Sequence, residues 1–487
     1  MNGFMLGNFH NFEAKSRGIY REVDSGSYRK MCRKGSTLRL PAASCMLLRR
    51  IGTQLLLIVF YISLFFILLG CGIAEKTTIE TIGTEPPERP ERATEQPEQL
   101  QLPEQEQSEF INAESMETPE ATSAGTNNEV QVPRSWSREF STDFSKFSVD
   151  VTEVIAGGPP KDGIPSIDKP LFESISDADK WLDSREPVIV VQTPESAPSG
   201  EVKIYPLQIL TWHEIVNDTI NGHPITVTYC PLCNTGVVFM ALVKTESGTA
   251  AEPKEKLEFG VTGFLRYSNM IMYDRQTESW WQQATGEAIA GVMTGKRLTI
   301  HPSLTLSFSD AKSIFPKALV LSRETGYSRP YGTNPYVGYD SKEIPFLYQG
   351  PEVDSALRML EQVIVVKHGD DSQAVPYSQL QEEGVVQFLL DGRKVAVFWK
   401  EGTASALDSR QIAQGRDIGS GNAFFTEVDQ YELNFVKIDT GFRDLQTGSH
   451  WNEAGIAIKG PLQGTRLPLV TAVQHFWFSY YAFSREF

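Results

Sequence analysis

Cys230 and Cys233 stand two residues apart in the stretch TYCPLCNTG, and the other three of the chain's five cysteines, Cys32, Cys45 and Cys71, all lie far upstream. A Cys-Pro-Leu-Cys spacing suits three chemistries: a redox dithiol, half of a metal site, or a small disulfide that stiffens a loop in an oxidising compartment. As half of a structural zinc site it is incomplete, because zinc takes four ligands and no second cysteine pair exists downstream. His213 can be a third ligand, with His301, His450, His475 or Met240 as a fourth. The set Cys230, Cys233 and His213 also suits Cu(I), which accepts soft ligands in low coordination, so copper and zinc are the two metals to expect. Haem attachment of the c type is excluded in its usual form, since Asn234 stands where a histidine would be needed. As a redox pair, one cysteine must ionise readily, and a neighbouring His213 would supply the cation that lowers its pKa. The segment after the motif, GVVFMALV, is dense in β-branched residues and reads as a strand, which argues against a thioredoxin-like arrangement.

The elements that must hold these residues recur along the chain. At an offset of 170, Pro206 matches Pro376, Leu210 matches Leu380, Gly222 matches Gly392, Val227 matches Val397 and Tyr229 matches Trp399. Farther on, DRQTESWW, starting at Asp274, aligns with DLQTGSHW, starting at Asp444. Two copies are too few for a solenoid. The expected fold is therefore a β-rich α+β protein, internally duplicated into a pseudo-symmetric pair of hairpin-containing domains, a first repeat at 136–345 with the CPLC motif and a second at 346–487 without the cysteines. Positions kept in both copies, such as Asp274/Asp444 and Trp281/Trp451, read as turn chemistry and core. Chemically loaded positions present in one copy alone are the better site candidates.

Each copy opens with a proline at the start of a short helix and then a hairpin, turned by Asn221-Gly222 in the first and Asp391-Gly392 in the second. Both residues of a type I′ turn need positive φ, which these pairs supply. A two-residue loop fixes the register, so Ile220 faces His223, Val216 faces Val227 and, if pairing persists, His213 faces Cys230. One face, with Val216, Ile220, Ile225, Val227 and Tyr229, is core; the other, with His213, Asn217, Thr226, Thr228 and Cys230, reads as a polar surface. In the second copy the same register sets Glu383 against Lys400 as a cross-strand ion pair. The next stretch adds Arg266, Asn269, Trp280 and Gln282, which either form a pocket for an anionic or cofactor-sized ligand near the cysteines or are plain hairpin residues.

The N-terminal part reads differently. Residues 55–69, LLLIVFYISLFFILL, carry no charge, come after Arg49 and Arg50, and end at LGC. Residues 1–74 therefore comprise a basic segment and an anchor. It is either a lipoprotein-type signal with Cys71 as the lipidated residue and Met46 as the start, or a single transmembrane helix; both place the rest of the chain outside the cytoplasm. Residues 75–135 hold 14 acidic against 4 basic residues amid Pro, Glu and Gln, too little apolar surface to fold, and read as a disordered tether. With a formal charge of −16 and no basic stripe, nucleic acid is not an expected partner; the membrane, through the anchor, is.

The motifs WHEIVNDT, TYCPLCNTGVVF, FGVTGFLRYSNMIMYDRQTESWWQQATGEAIAG, SRETGYSRPYG, GTASALDSRQIAQGRDIGS and HFWFSYYAF, in this order, resemble the bacterial and archaeal family known as domain of unknown function 3179, over about residues 150–487. The resemblance implies an extracytoplasmic or membrane-anchored protein without an established activity. Some members of that family are grouped with selenoproteins, and a selenocysteine in the cysteine motif would favour redox or metal chemistry at Cys230 and Cys233 over a passive disulfide. Three functions stay open on the sequence: a thiol redox site with His213 beside it, copper or zinc binding by the same residues, and a non-catalytic surface module with a structural disulfide.

Overall fold

The computed structural model describes residues 132–193, 200–243, 255–484 and 486. The anchor, Cys71 and all but the last four residues of the acidic stretch lie outside the described residues. Among the described residues no helix is long and apolar enough to cross a membrane. Every α-helix there has seven residues or fewer, and the fold is carried by strands in several sheets.

One succession of elements occurs in each half. In the first, the strands Pro187–Gln192 and Val202–Pro206 pair antiparallel, the helix Leu207–His213 comes after them, and the hairpin Ile215–Ile220 with His223–Cys230 is next. In the second, Gln362–His368 pairs with Asp371–Pro376, and the helix Tyr377–Glu383 leads to the hairpin Val385–Leu390 with Arg393–Lys400. A distant strand then joins the first strand of each half and leads straight into a helix: Leu304–Ser307 before Phe308–Ile314, and Thr471–Phe476 before Trp477–Phe483. Asn221 and Asp391 have φ of 48° and 46°, as the two-residue turn requires.

The two halves share one core. Val190, Leu306 and Phe308 of the first pack with Phe398, Phe424 and Trp451 of the second in one apolar cluster. Burying each large side chain of this kind contributes about 1.5–3 kcal/mol. In both halves a buried aspartate organises the turn after its hairpin. Asp274 accepts hydrogen bonds from the Thr277 backbone N–H at 2.6 Å, the Thr277 hydroxyl at 2.9 Å and the Trp281 indole at 2.9 Å. Asp444 accepts the same three from Thr447 and Trp451, at 2.5, 2.9 and 2.9 Å. These shared residues are turn and core.

Beyond the hairpin the halves diverge. Cys230 is separated from the next strand, Thr235–Met240, by one turn of 3-10 helix, Pro231–Cys233. After Lys400, residues 401–419 run as an excursion before Ser420–Phe425. That excursion packs on another strandless stretch, 322–361: Asn334 donates to the Arg410 carbonyl at 2.8 Å, Tyr339 to Leu407 at 3.0 Å, and Thr333 bridges Gln411.

Candidate functional site

The hairpin pairs as expected from Ile220 opposite His223 to Ile215 opposite Thr228, and stops there. His213 belongs to the helix, so it does not face Cys230. Its Nδ1 meets the Pro165 carbonyl at 2.7 Å and its Nε2 the Tyr331 hydroxyl at 2.6 Å. Burial holds this imidazole at a pKa of about 4, so it carries no charge near neutral pH and cannot lower a thiol's pKa. Glu383 is likewise helical and bonds Gln379, while Lys400 reaches Asp310 and Glu453 instead of Glu383. In both halves the helix keeps the two residues on which further pairing depended.

Where pairing ends, a different residue bonds the cysteine strand: the Glu214 carbonyl accepts from the Tyr229 N–H at 2.8 Å. Glu214 closes the helix with φ 56° and ψ −30°, its N–H donating to the Leu210 carbonyl. Gly384 closes the matching helix with φ 71° and ψ −29° and donates to Leu380. Glycine adopts this conformation freely, whereas a glutamate there stores about 1–3 kcal/mol of strain. The Glu214 carboxyl is buried, and Tyr336 Oη approaches it at 3.5 Å. Burial first, then the neighbouring Cys230 sulfur, push this carboxyl well above the usual range, so it holds its proton far more tightly than a free glutamate.

Both cysteines are buried and both are free thiols; the alternative of a structural disulfide does not describe this state. Their sulfurs share one acceptor, the Ser268 carbonyl, at 3.9 Å from Cys230 and 3.3 Å from Cys233. Burial, with the adjacent Cys233 second, raises the Cys230 thiol well above its ordinary value, while the backbone N–H groups of Met270 and Cys233 pull the other way. The expected low-pKa thiolate is thus replaced by a protonated thiol whose ionised form has two donors waiting.

Ser268 owes its position to a second strained turn. Arg266 pairs with Asn269, so Tyr267 and Ser268 form a two-residue loop with φ of 52° and 61° and no glycine. The Ser268 hydroxyl donates to the Phe346 carbonyl. Asn234, with φ 49°, ends the cysteine turn and accepts from the Tyr229 hydroxyl at 2.9 Å. Strain gathered at one place marks a site that the surrounding structure is built to hold.

The supposed polar surface of the hairpin is interior. Asn217 exchanges hydrogen bonds with the backbone of Phe259, and Thr228 donates to the Val237 carbonyl. Gln283 donates to Thr228 and to the Thr235 carbonyl, and accepts from Asn269. Asn269 therefore supports the strand after the cysteines instead of lining a ligand pocket. Gln282 donates to Asn269 Oδ1. Arg266 points elsewhere, bonding Glu153 at 2.7 Å and both oxygens of Glu486 at 2.8 and 2.9 Å. Trp280 is fully buried among Trp136, Phe140, Phe144 and Phe264. Arg266, Asn269, Trp280 and Gln282 do not form one pocket. Of the other histidines, His301 bonds the Gln192 carbonyl, and His475 meets Thr235 and Ser479. No group of three or more His, Cys, Asp or Glu able to hold a metal exists among the described residues, and the trio of Cys230, Cys233 and His213 is not assembled.

A cavity of about 530 Å³ opens over Cys230. Cys230 and Met270 line it from the hairpins, Glu214 from the helix exit, and Tyr336, Tyr339, Phe346 and Arg329 from the stretch 322–361; Arg410 comes from the excursion after Lys400. The Tyr339 hydroxyl donates to the Leu232 carbonyl inside the cysteine turn at 2.9 Å, tying this cover to the floor. Glu214, Tyr336, Arg329 and Arg410 escaped sequence reasoning. Glu214 had a signal: position 214 matches Gly384 at the 170-residue offset, and of these two helix exits, which favour glycine, only one carries a carboxylic acid.

No curated protein and no solved structure matches this chain. A family model, described as protein of unknown function (DUF3179), matches residues 161–487. That span takes in both halves, the cysteine turn and both stretches that cover the cavity, and the chain belongs to this family.

Proposed function

We propose that Cys230 and Cys233 form a thiol–disulfide redox centre in which Glu214, not His213, handles the proton. The observation that carries this reading is a buried carboxyl, held at a strained helix exit, on the wall of the same cavity as a free thiol. Cys230 borders the cavity and is the attacking thiol; Cys233 lies one helical turn on, outside the lining, and is the resolving one.

The oxidant is a disulfide. Cys230 loses its proton to water, its thiolate displaces one half of the bound disulfide, and that half leaves as a thiol with the proton of Glu214, which regains one from water. Cys233 then displaces the other half from Cys230 and its proton goes to the second product. One protein S–S bond forms, one substrate S–S bond breaks, and two electrons and two protons pass to the substrate.

Two further readings belong with this one. The halves are products of a duplication, supported by their common element succession, the 170-residue offset and the matching aspartate turns. Export and membrane tethering are supported by the uncharged run at 55–69 and the acidic stretch after it.

The test is an anaerobic redox titration of the full chain in disulfide–thiol buffers, with alkylation and mass spectrometry of the 230–233 peptide. A single two-electron step to an intramolecular disulfide is expected, reached about a hundredfold more slowly in Glu214→Gln. A pair that stays reduced at every potential, or a rate indifferent to Glu214→Gln, overturns the reading.

A further inference from the structure

The cavity over Cys230 is unevenly charged. Three cations border it, Arg329, Lys342 and Arg410, and the single carboxyl on its wall is Glu214. One carboxyl cannot neutralise three cations, so the wall keeps a net positive charge even with Glu214 ionised. None of them has a carboxylate partner among the described residues, and the Lys342 ammonium overlies the Tyr339 ring at 6.0 Å. Arg329 carries the stronger mark: its Nε is buried and has no hydrogen-bond partner. A buried guanidinium nitrogen without an acceptor costs free energy unless a ligand supplies one.

Sequence-distant stretches bring these cations together. Arg329 stands in SRETGYSRPYG and Arg410 in GTASALDSRQIAQGRDIGS, and the two stretches are joined by the Asn334–Arg410 backbone hydrogen bond at 2.8 Å. The rest of the wall is largely apolar, with Trp212, Val261, Phe264 and Phe346. Such a wall fits a short apolar body that carries negative charge at the end away from the sulfur.

We propose that the cavity selects low-molecular-weight disulfides bearing carboxylates, with Arg329 and Arg410 as the principal anion-binding residues and Lys342 assisting at the mouth. This rests on the thiol–disulfide reading of Cys230. The anion pairs with the guanidinium groups, which offer planar donors matched to a carboxylate, and the disulfide bond is left beside Cys230.

The test compares three disulfides of similar size on the full chain: dithiodipropionate, which is anionic, bis(hydroxyethyl) disulfide, which is neutral, and cystamine, which is cationic. Each oxidation rate is divided by the rate with a free cysteine peptide, which removes intrinsic reactivity. The expected order is anion, neutral, cation, with about a hundredfold between the extremes, shrinking as salt is added. The ratio should fall about tenfold in the Arg329→Gln/Arg410→Gln double variant and about threefold in Lys342→Gln, an exposed position whose change leaves the fold intact. Equal normalised rates, or a ratio unmoved in both variants, overturn the proposal.

Suberate, the dicarboxylate with two methylenes in place of the two sulfurs, separates selectivity from redox chemistry. Calorimetric binding of suberate that weakens in Lys342→Gln supports the anion site even if no disulfide oxidises the pair, an outcome that would sink the redox reading alone. No suberate binding, with oxidation proceeding equally for all three disulfides, sinks the anion site and leaves the redox reading standing.

Discussion

Glu214 and Gly384 hold the same place at the ends of two helices. Their N–H groups donate to Leu210 and Leu380 at 2.8 and 2.7 Å, and their carbonyls accept from Tyr229 and Trp399 at 2.8 and 2.9 Å. Only one of them can be there without strain. Glu214→Gly should therefore stabilise the protein by about 1 kcal/mol or more, through relief of the backbone and removal of a buried carboxyl. Alkylation of Cys230 at neutral pH should slow in the same variant. Urea midpoints and iodoacetamide kinetics check the two halves of this expectation, and a destabilised variant would contradict it.

His213 should make the fold acid-sensitive. Its folded pKa of about 4 lies below the ordinary histidine value, so the unfolded chain binds the proton more readily between the two. Stability is fully present above the unfolded pKa of about 6.5 and falls by about 3 kcal/mol as pH drops toward 4. His213→Gln, which can keep one donor and one acceptor, should flatten that fall. Part of the slope should remain, since His475 is held at about 3 by burial and acts in the same direction. Urea unfolding of both proteins from pH 7 to about 4.5 measures the difference.

Glu186 works in the opposite sense. Burial raises it to about 7, against the opposing hydrogen bond from Gln208 at 2.7 Å. A raised carboxyl favours the folded state while protonated, so its contribution is present below about pH 4.5 and is lost, to the extent of about 3 kcal/mol, as pH rises through 7. Glu186→Gln should gain most of that at about pH 8 and nothing at about pH 4.5. Equal gains at both pH values would show that the carboxyl's ionisation is not the cause.

Asp274 and Asp444 should be equally expensive to remove. Both accept the same three hydrogen bonds in a buried turn, Asp444 with a fourth, long one from the Gly448 N–H at 3.2 Å, and truncating either to alanine leaves an indole N–H, a hydroxyl and a backbone N–H without an acceptor. A loss of about 3–5 kcal/mol is expected for each, the two agreeing within about 1 kcal/mol. Thermal and chemical denaturation of the two alanine variants make the comparison.

Much of the scaffold was legible because its signals are local. Asn221-Gly222 and Asp391-Gly392 specify turns, and the turns specify register. The misreadings all depended on neighbours. Whether pairing reached His213 turned on a helix that claims residues up to 213, and no short-range pattern decides between the two. Asn217, Thr226 and Thr228 read as surface because they are polar, yet all three are buried, and Asn217 and Thr228 spend their polarity on internal hydrogen bonds. The Tyr267-Ser268 turn carries none of the residues that favour positive φ, so it gave no warning. Arg329 and Arg410 meet only through tertiary packing.

The floor and the mouth of the cavity are encoded in separate stretches of chain. A rigid hairpin sets the thiols, whereas residues 322–361 and 401–419, neither containing a strand, set what the thiols can see. On the proposed thiol–disulfide reading, reactivity and selectivity can therefore be inherited independently. Exchanging the two mouth stretches between relatives would graft a new substrate preference onto an unaltered reactive pair, and the lineage could diversify its chemistry's targets without reinventing the chemistry.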